Sequence, residues 1–98
     1  MKKYSYGHPK FYKIVEELCD LHSWKSKSYG KKDDPLFNLR LFGWRGVVVR
    51  LGDKFCRLKN FYDNPDMKLP DETIIDAFND MSIYAALGRI LYEEENKK

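Results

Sequence analysis

The chain is short of nearly every feature that announces a function at sight. Its two cysteines, Cys19 and Cys56, have neither CxxC spacing nor a histidine at ligand spacing. That argues against a disulfide or zinc framework and for two reduced, buried thiols in a cytosolic protein. No apolar run approaches the roughly 20 residues that cross a bilayer. The opening Met-Lys-Lys-Tyr-Ser-Tyr-Gly-His-Pro lacks the apolar stretch of a secretion signal, so a soluble, cytoplasmic protein without a membrane partner is expected. Eighteen basic against fifteen acidic side chains leave a net charge of +3, too mild a field to imply nucleic-acid binding. GxSxG, P-loop, GxGxxG and HExxH signatures are all missing, which leaves carboxylate-plus-metal chemistry as the enzymatic option with support.

What is there points to helices. Ninety-eight residues make one compact domain, residues 1–98, and too small a core to make self-association surprising. Seven Tyr, six Phe and two Trp exceed what a minimal core needs. Pro9 suits a helix start, and Phe11, Ile14, Val15, Leu18, Leu21 and Trp24 recur at helical steps, with Tyr29-Gly30 as the stop. Leu36 to Arg45 reads as a short helix punctuated by Gly43. Val47-Val48-Val49 favours a strand locally, but the longer stripe Val48, Leu51, Phe55, Leu58, Tyr62 is helical and decides the matter. Asp63-Asn64-Pro65-Asp66 breaks the chain, and Asp71 then caps a helix running to about Tyr92. The charged tail beyond Tyr92 is expected to fray. The fold class is therefore all-α, a bundle of three to four helices. The last helix is apolar on nearly every side in its second half, so the bundle is expected to be completed by a dimer partner.

The most informative positions are Asp76 and Asp80. They stand one helical turn apart, in line with Ile83, Leu87 and Leu91, which places two carboxylates on a core-facing stripe. An unpaired charge pointing inward is costly, so either the protein's own cations or a divalent ion should balance them. Glu72, Asp76 and Asp80 on successive turns suit Mg²⁺, which binds through one or two carboxylates and keeps several waters. The plainer reading is a solvated acidic face near a helix N-terminus, which covers Glu72 better than Asp80. Arg50, Asp53 and Arg57 share a face of the preceding helix. They read as an intrahelical ion-pair ladder, or with Asp53 as a further metal ligand and the arginines as phosphate clamps. Lys25 to Gly30 reads as a cationic helix end. His8 and His22 are lone histidines, read as surface or capping residues. Tyr29 and Trp44 are large enough to stack on a base, but a core role fits each better.

Four short motifs occur in order: Lys25-x-x-x-Tyr29-Gly30, Asp34-Pro35-Leu36-x-Asn38, Arg50-Leu51-x-Asp53-Lys54-x-x-Arg57-Leu58, and Glu72-x-x-x-Asp76-x-x-x-Asp80-x-x-x-Tyr84-Ala85. Together they resemble the nucleotide modification associated domain family of small bacterial and phage proteins, over residues 14 to 92. That family is in turn distantly similar to all-α nucleotide pyrophosphatases of the MazG and dimeric dUTPase type. Two departures stand out. Ser28 occupies the place of an acidic residue before Tyr-Gly, and the paired-glutamate EExxE motif with its ExxD partner is replaced by Asp53 with Glu72, Asp76 and Asp80.

The resemblance implies a Mg²⁺-dependent nucleotide-binding protein, with Asp53, Glu72, Asp76 and Asp80 on the metal and Asp53, Asp76 and Asp80 in any catalysis. It implies Lys25, Arg50 and Arg57, with Lys54 in support, on the phosphates. Tyr29 or Trp44 would meet the base and Asn38 would distinguish it. The expected activity is nucleoside triphosphate pyrophosphohydrolysis in the host cytoplasm. Fewer acids than the pyrophosphatases carry favours an alternative, capture of a nucleotide or nucleotide signal without cleavage. A third reading is a protein-interaction module in nucleotide or DNA modification.

Overall fold

The computed structural model describes residues 4–29, 34, 36–66 and 71–97. The chain is all-α, as expected, with four helices and no strand among the described residues: α1 (Pro9–Tyr29), α2 (Phe37–Arg40), α3 (Gly43–Asp63) and α4 (Asp71–Glu95). Two boundaries have local causes. At α1, Pro9 supplies a first position that needs no donor, and the His8 ring nitrogen Nδ1 accepts the Lys10 N–H at 3.1 Å. At the end of α3, the Asn64 side chain turns back on the Asn60 carbonyl at 2.9 Å.

The start of α3 is built from the far end of the chain. Gly43 sits at φ +65°, where a side chain is strained, and a Cβ there would lie 2.6 Å from the Glu95 carboxylate. That close approach lets the carboxylate accept the Trp44 N–H at 3.0 Å, satisfying one of the donors a helix start leaves open. Glu94 pairs with Arg40 of α2, and Arg40 reaches Asp34 at 2.9 Å. These two acids explain why α4 continues to Glu95 instead of fraying after Tyr92: the charged tail is tied to α2 and α3.

The core lies between α3 and α4. Leu36, Val47, Leu87 and Leu91 are buried, with Leu39, Trp44, Leu51, Ile83 and Tyr84 packed around them. Gly88 lets the two long helices close up, since a Cβ there would meet the Val47 side chain at 3.0 Å. Ala77 is the other buried apolar residue. Among the long helices, α1 packs chiefly on α4, and the N-terminal part of its stripe, Phe11 and Ile14, is exposed. Both cysteines are exposed as well, against the expectation of buried thiols; each sits beside the apolar stripe of its helix rather than on it.

The result is an open molecule. Its radius of gyration is 15.5 Å, against about 13 Å for a compact chain of this length. Its accessible area is 8431 Å², whereas a compact monomer of 11.7 kDa exposes about 5,900 Å².

Candidate functional site

A cleft of about 320 Å³ opens where all four helices meet, within the roughly 300–1,000 Å³ of ordinary ligand pockets. Helix α1 contributes His22, Lys25 and Ser26; α2 contributes Asn38 and Leu39; α3 contributes Arg50; α4 contributes Asp80, Ile83, Tyr84 and Leu87. The spacing explains the convergence. His22, Lys25 and Ser26 are three and four residues apart on one face of α1, and Asp80, Ile83, Tyr84 and Leu87 repeat the pattern on α4. Helix α2 is too short to stand alone and is held by Arg40, whose guanidinium bridges Asp34 and Glu94. That tether sets Asn38 at the edge of the cleft.

Asp80 is the electrostatic centre. Its side chain is only 17 % exposed, and each carboxylate oxygen has its own ammonium group: Lys25 Nζ at 2.9 Å on one and Lys54 Nζ at 2.9 Å on the other. Burial pushes the carboxyl upward, but the hydrogen bonds and charges of Lys25 and Lys54 outweigh it and hold Asp80 below the ordinary aspartate value. The inward charge foreseen at position 80 is thus met by lysines from α1 and α3. Opposite it, Arg50 donates to the Tyr84 hydroxyl at 3.3 Å and lies 5.7 Å from the ring centre, a geometry that turns the cation–π face of Tyr84 toward the guanidinium. His22 and Ser26 stand 3.4 Å apart along α1. Two cations, Lys25 and Lys54, therefore hold one carboxylate, and a third, Arg50, lines the same cleft against Tyr84.

Of the residues singled out in the sequence, Lys25, Asn38, Arg50 and Asp80 come together in the cleft, and Lys54 joins them through Asp80. Asp76 does not share the burial of Asp80; it is exposed, one turn nearer the helix start. Asp53 and Arg57 are exposed on α3 and do not line the cleft. Among the described residues, no ion pair of an Arg50–Asp53–Arg57 ladder forms. Trp44 packs edge-on against Tyr92 at 5.3 Å, with the Arg45 guanidinium 4.9 Å from its ring, so it serves the core and not the cleft. The side chains of Tyr29 and Glu72 lie outside the described residues. Sequence reasoning passed over His22, Ser26 and Tyr84 as site residues. Their signal was present all the same: each falls one helical turn from Lys25 or Asp80, or directly beside that turn.

Among the described residues, the acids do not gather as a Mg²⁺ cluster. Both Asp80 oxygens are engaged by ammonium groups, Asp53 and Asp76 face solvent, and among the described residues no three His, Cys, Asp or Glu side chains gather as a metal site. Mg²⁺ needs near-octahedral oxygen donors at short range, and a carboxylate shared between two ammonium groups would have to shed both first. No helix is long and apolar enough to cross a membrane among the described residues. Comparison of the chain with protein families, curated proteins and solved structures finds no match.

Proposed function

We propose that the cleft binds a nucleotide, with its phosphates on Lys25 and Arg50 and its base against Tyr84 and Asn38, and that it holds the ligand without cleaving it. What supports the reading is the excess of cation around a single part-buried carboxylate. Lys25 and Lys54 hold Asp80 below the ordinary aspartate value, Arg50 is steered by the hydroxyl and ring of Tyr84, and a phosphate entering the cleft meets donors already in place. An arginine fork matches phosphate oxygens bidentately, while lysine acts as a point charge. Ile83, Leu87 and Leu39 give the apolar wall, and Asn38 carries both a donor and an acceptor for a base edge. The order of motifs resembling the nucleotide modification associated domain family is what narrows a phosphorylated ligand to a nucleotide.

Calorimetric titration with a panel of nucleoside mono-, di- and triphosphates, with Mg²⁺ and with chelator, tests this. Lys25→Ala and Arg50→Ala should each weaken binding roughly 10- to 100-fold, the loss of one charge-assisted hydrogen bond at about 1.5–3 kcal/mol. Asp80→Asn should strengthen it several-fold, since removing the anion that pairs with Lys25 relieves on the order of 1 kcal/mol of repulsion. The nucleotide should be recovered intact. Abolition of binding by both chelator and Asp80→Asn, with pyrophosphate released when Mg²⁺ is present, would instead assign the cleft to the pyrophosphohydrolases, with Asp53, Glu72, Asp76 and Asp80 as its metal ligands.

A further inference from the structure

Two polar residues of the cleft, His22 and Ser26, take no part in the pairing of Asp80 with Lys25 and Lys54. They flank Lys25 on α1, His22 three residues before it and Ser26 one after, and all three line the cleft. The step of four puts His22 and Ser26 one turn apart on the same side of the helix, with the Ser26 hydroxyl 3.4 Å from His22 Nδ1. Protein hydrogen bonds centre near ~2.9 Å, so this is a loose contact that an incoming oxygen can replace at little cost. Imidazole N–H and hydroxyl together bring two hydrogens, and only one of them lies between the pair, whichever group donates it.

We infer that His22, Lys25 and Ser26 together read a terminal phosphate, so that the ligand is a nucleotide with an open phosphate end, not a cyclic nucleotide or an internal phosphodiester. The inference rests on the nucleotide reading of the cleft and narrows it. Donors are the first reason. Lys25 gives one of its three ammonium hydrogens to Asp80, and Arg50 gives one of its five guanidinium hydrogens to Tyr84. The hydrogens left on both, with those of His22 and Ser26, face a ligand from two helices. A terminal phosphate presents three acceptor oxygens to such a set, whereas a diester keeps only two. Charge is the second reason. Among the described residues, the charged groups lining the cleft are Lys25, Arg50 and Asp80, with Lys54 on the other oxygen of Asp80. Three positive groups against one negative leave a surplus of two, which matches the roughly −2 of a phosphate monoester near neutral pH. A diester, with a single negative charge, leaves half of that surplus unanswered.

Calorimetric titration of the whole chain with the 5′-monophosphates of adenosine, guanosine, cytidine and thymidine, each against its 5′-methyl phosphodiester, tests this. The methyl group removes one free oxygen and one charge and leaves base and sugar alone. The best-bound monophosphate should exceed its methyl ester by at least about 10-fold, the factor that one lost charge-assisted hydrogen bond gives. Ser26→Ala and His22→Ala should each weaken the monophosphate roughly 3- to 10-fold and leave the methyl ester unchanged. Ser26→Thr, which keeps the hydroxyl, should retain the wild-type ratio. Alanine suits a helix and both changes leave the Lys25–Asp80 pair in place, so the fold is not at stake. Equal affinity for a monophosphate and its ester overturns the inference and leaves the nucleotide reading standing. So does a ratio that neither alanine variant moves. If no member of any pair binds, the nucleotide reading itself fails and the inference falls with it.

Discussion

Replacing Asp80 by Asn keeps the shape of the side chain and removes its charge, so it isolates what the two lysines contribute to folding. The Lys54 pair is the tighter of the two, with side chains 24 % and 17 % exposed; a part-buried, charge-assisted hydrogen bond of this kind contributes about 1.5 kcal/mol. The Lys25 side chain is 38 % exposed, so solvent screening reduces that pair to about 0.5 kcal/mol. Asp80→Asn should therefore cost about 2 kcal/mol near pH 7, or roughly 10 °C in midpoint for a domain of this size. The pH dependence has a definite sign. Asp80 is held below its ordinary value in the folded chain, so its contribution is fully present above the unfolded aspartate pKa of about 3.9. It fades as pH falls through the lower folded value. Denaturant unfolding of both proteins at one fixed concentration, at pH 7 and again near pH 2, should show the gap close in acid. A double-mutant cycle should give a larger coupling with Lys54→Met than with Lys25→Met. The account of the cleft is refuted if Asp80→Asn costs under about 0.5 kcal/mol at pH 7, or if the full gap persists in acid.

The glycines give two further expectations of opposite sign. Gly52 lies in the interior of α3 with nothing within 4 Å of a would-be Cβ, so Gly52→Ala should stabilise by about 0.5–1 kcal/mol through helix propensity alone, seen as a raised denaturation midpoint. Gly43 combines φ +65° with a Cβ position 2.6 Å from Glu95; Gly43→Ala should cost on the order of 1–3 kcal/mol, and amide exchange should report the loss first at the Trp44 N–H.

How much of this was legible in the sequence follows from how far each cause lies along the chain. Pro9, the stripe from Phe11 to Leu21, and the Asp63-Asn64-Pro65 break act within a few residues, and α1 and α3 end where those signals place them. The close of α4 does not. Whether Glu94 and Glu95 extend the helix or fray from it depends on Arg40 and the Trp44 N–H, which lie 54 and 51 residues away. The cysteines show a different failure: residue type suggested burial, but they are exposed, as are stripe residues such as Phe11, Ile14, Phe55 and Tyr62.

Asp76 and Asp80 carry the same lesson into the site. Both stand on the Ile83–Leu87–Leu91 stripe, yet one is exposed and the other lies in the cleft with two lysines. A stripe says which side of a helix faces inward; it does not say how far along the helix anything stands opposite. Helix α1 and the Lys54 turn of α3 reach Asp80 and give it partners, and one turn earlier Asp76 faces water. The partners were equally invisible, because Lys25 is 55 residues from Asp80 and nothing local ties them together. Spacing thus marks a candidate inward carboxylate, while both its burial and its neutralising charge, metal or ammonium, are decided by tertiary contacts. Here lysines take both oxygens. A phosphate ligand therefore meets the same ammonium groups that hold Asp80 in place, and binding and folding compete for the charge of Lys25. Saturating nucleotide should for that reason lessen the stability gap between wild type and Asp80→Asn, measurable as converging midpoints, whereas a ligand seated away from Lys25 would raise both midpoints equally and leave the gap unchanged.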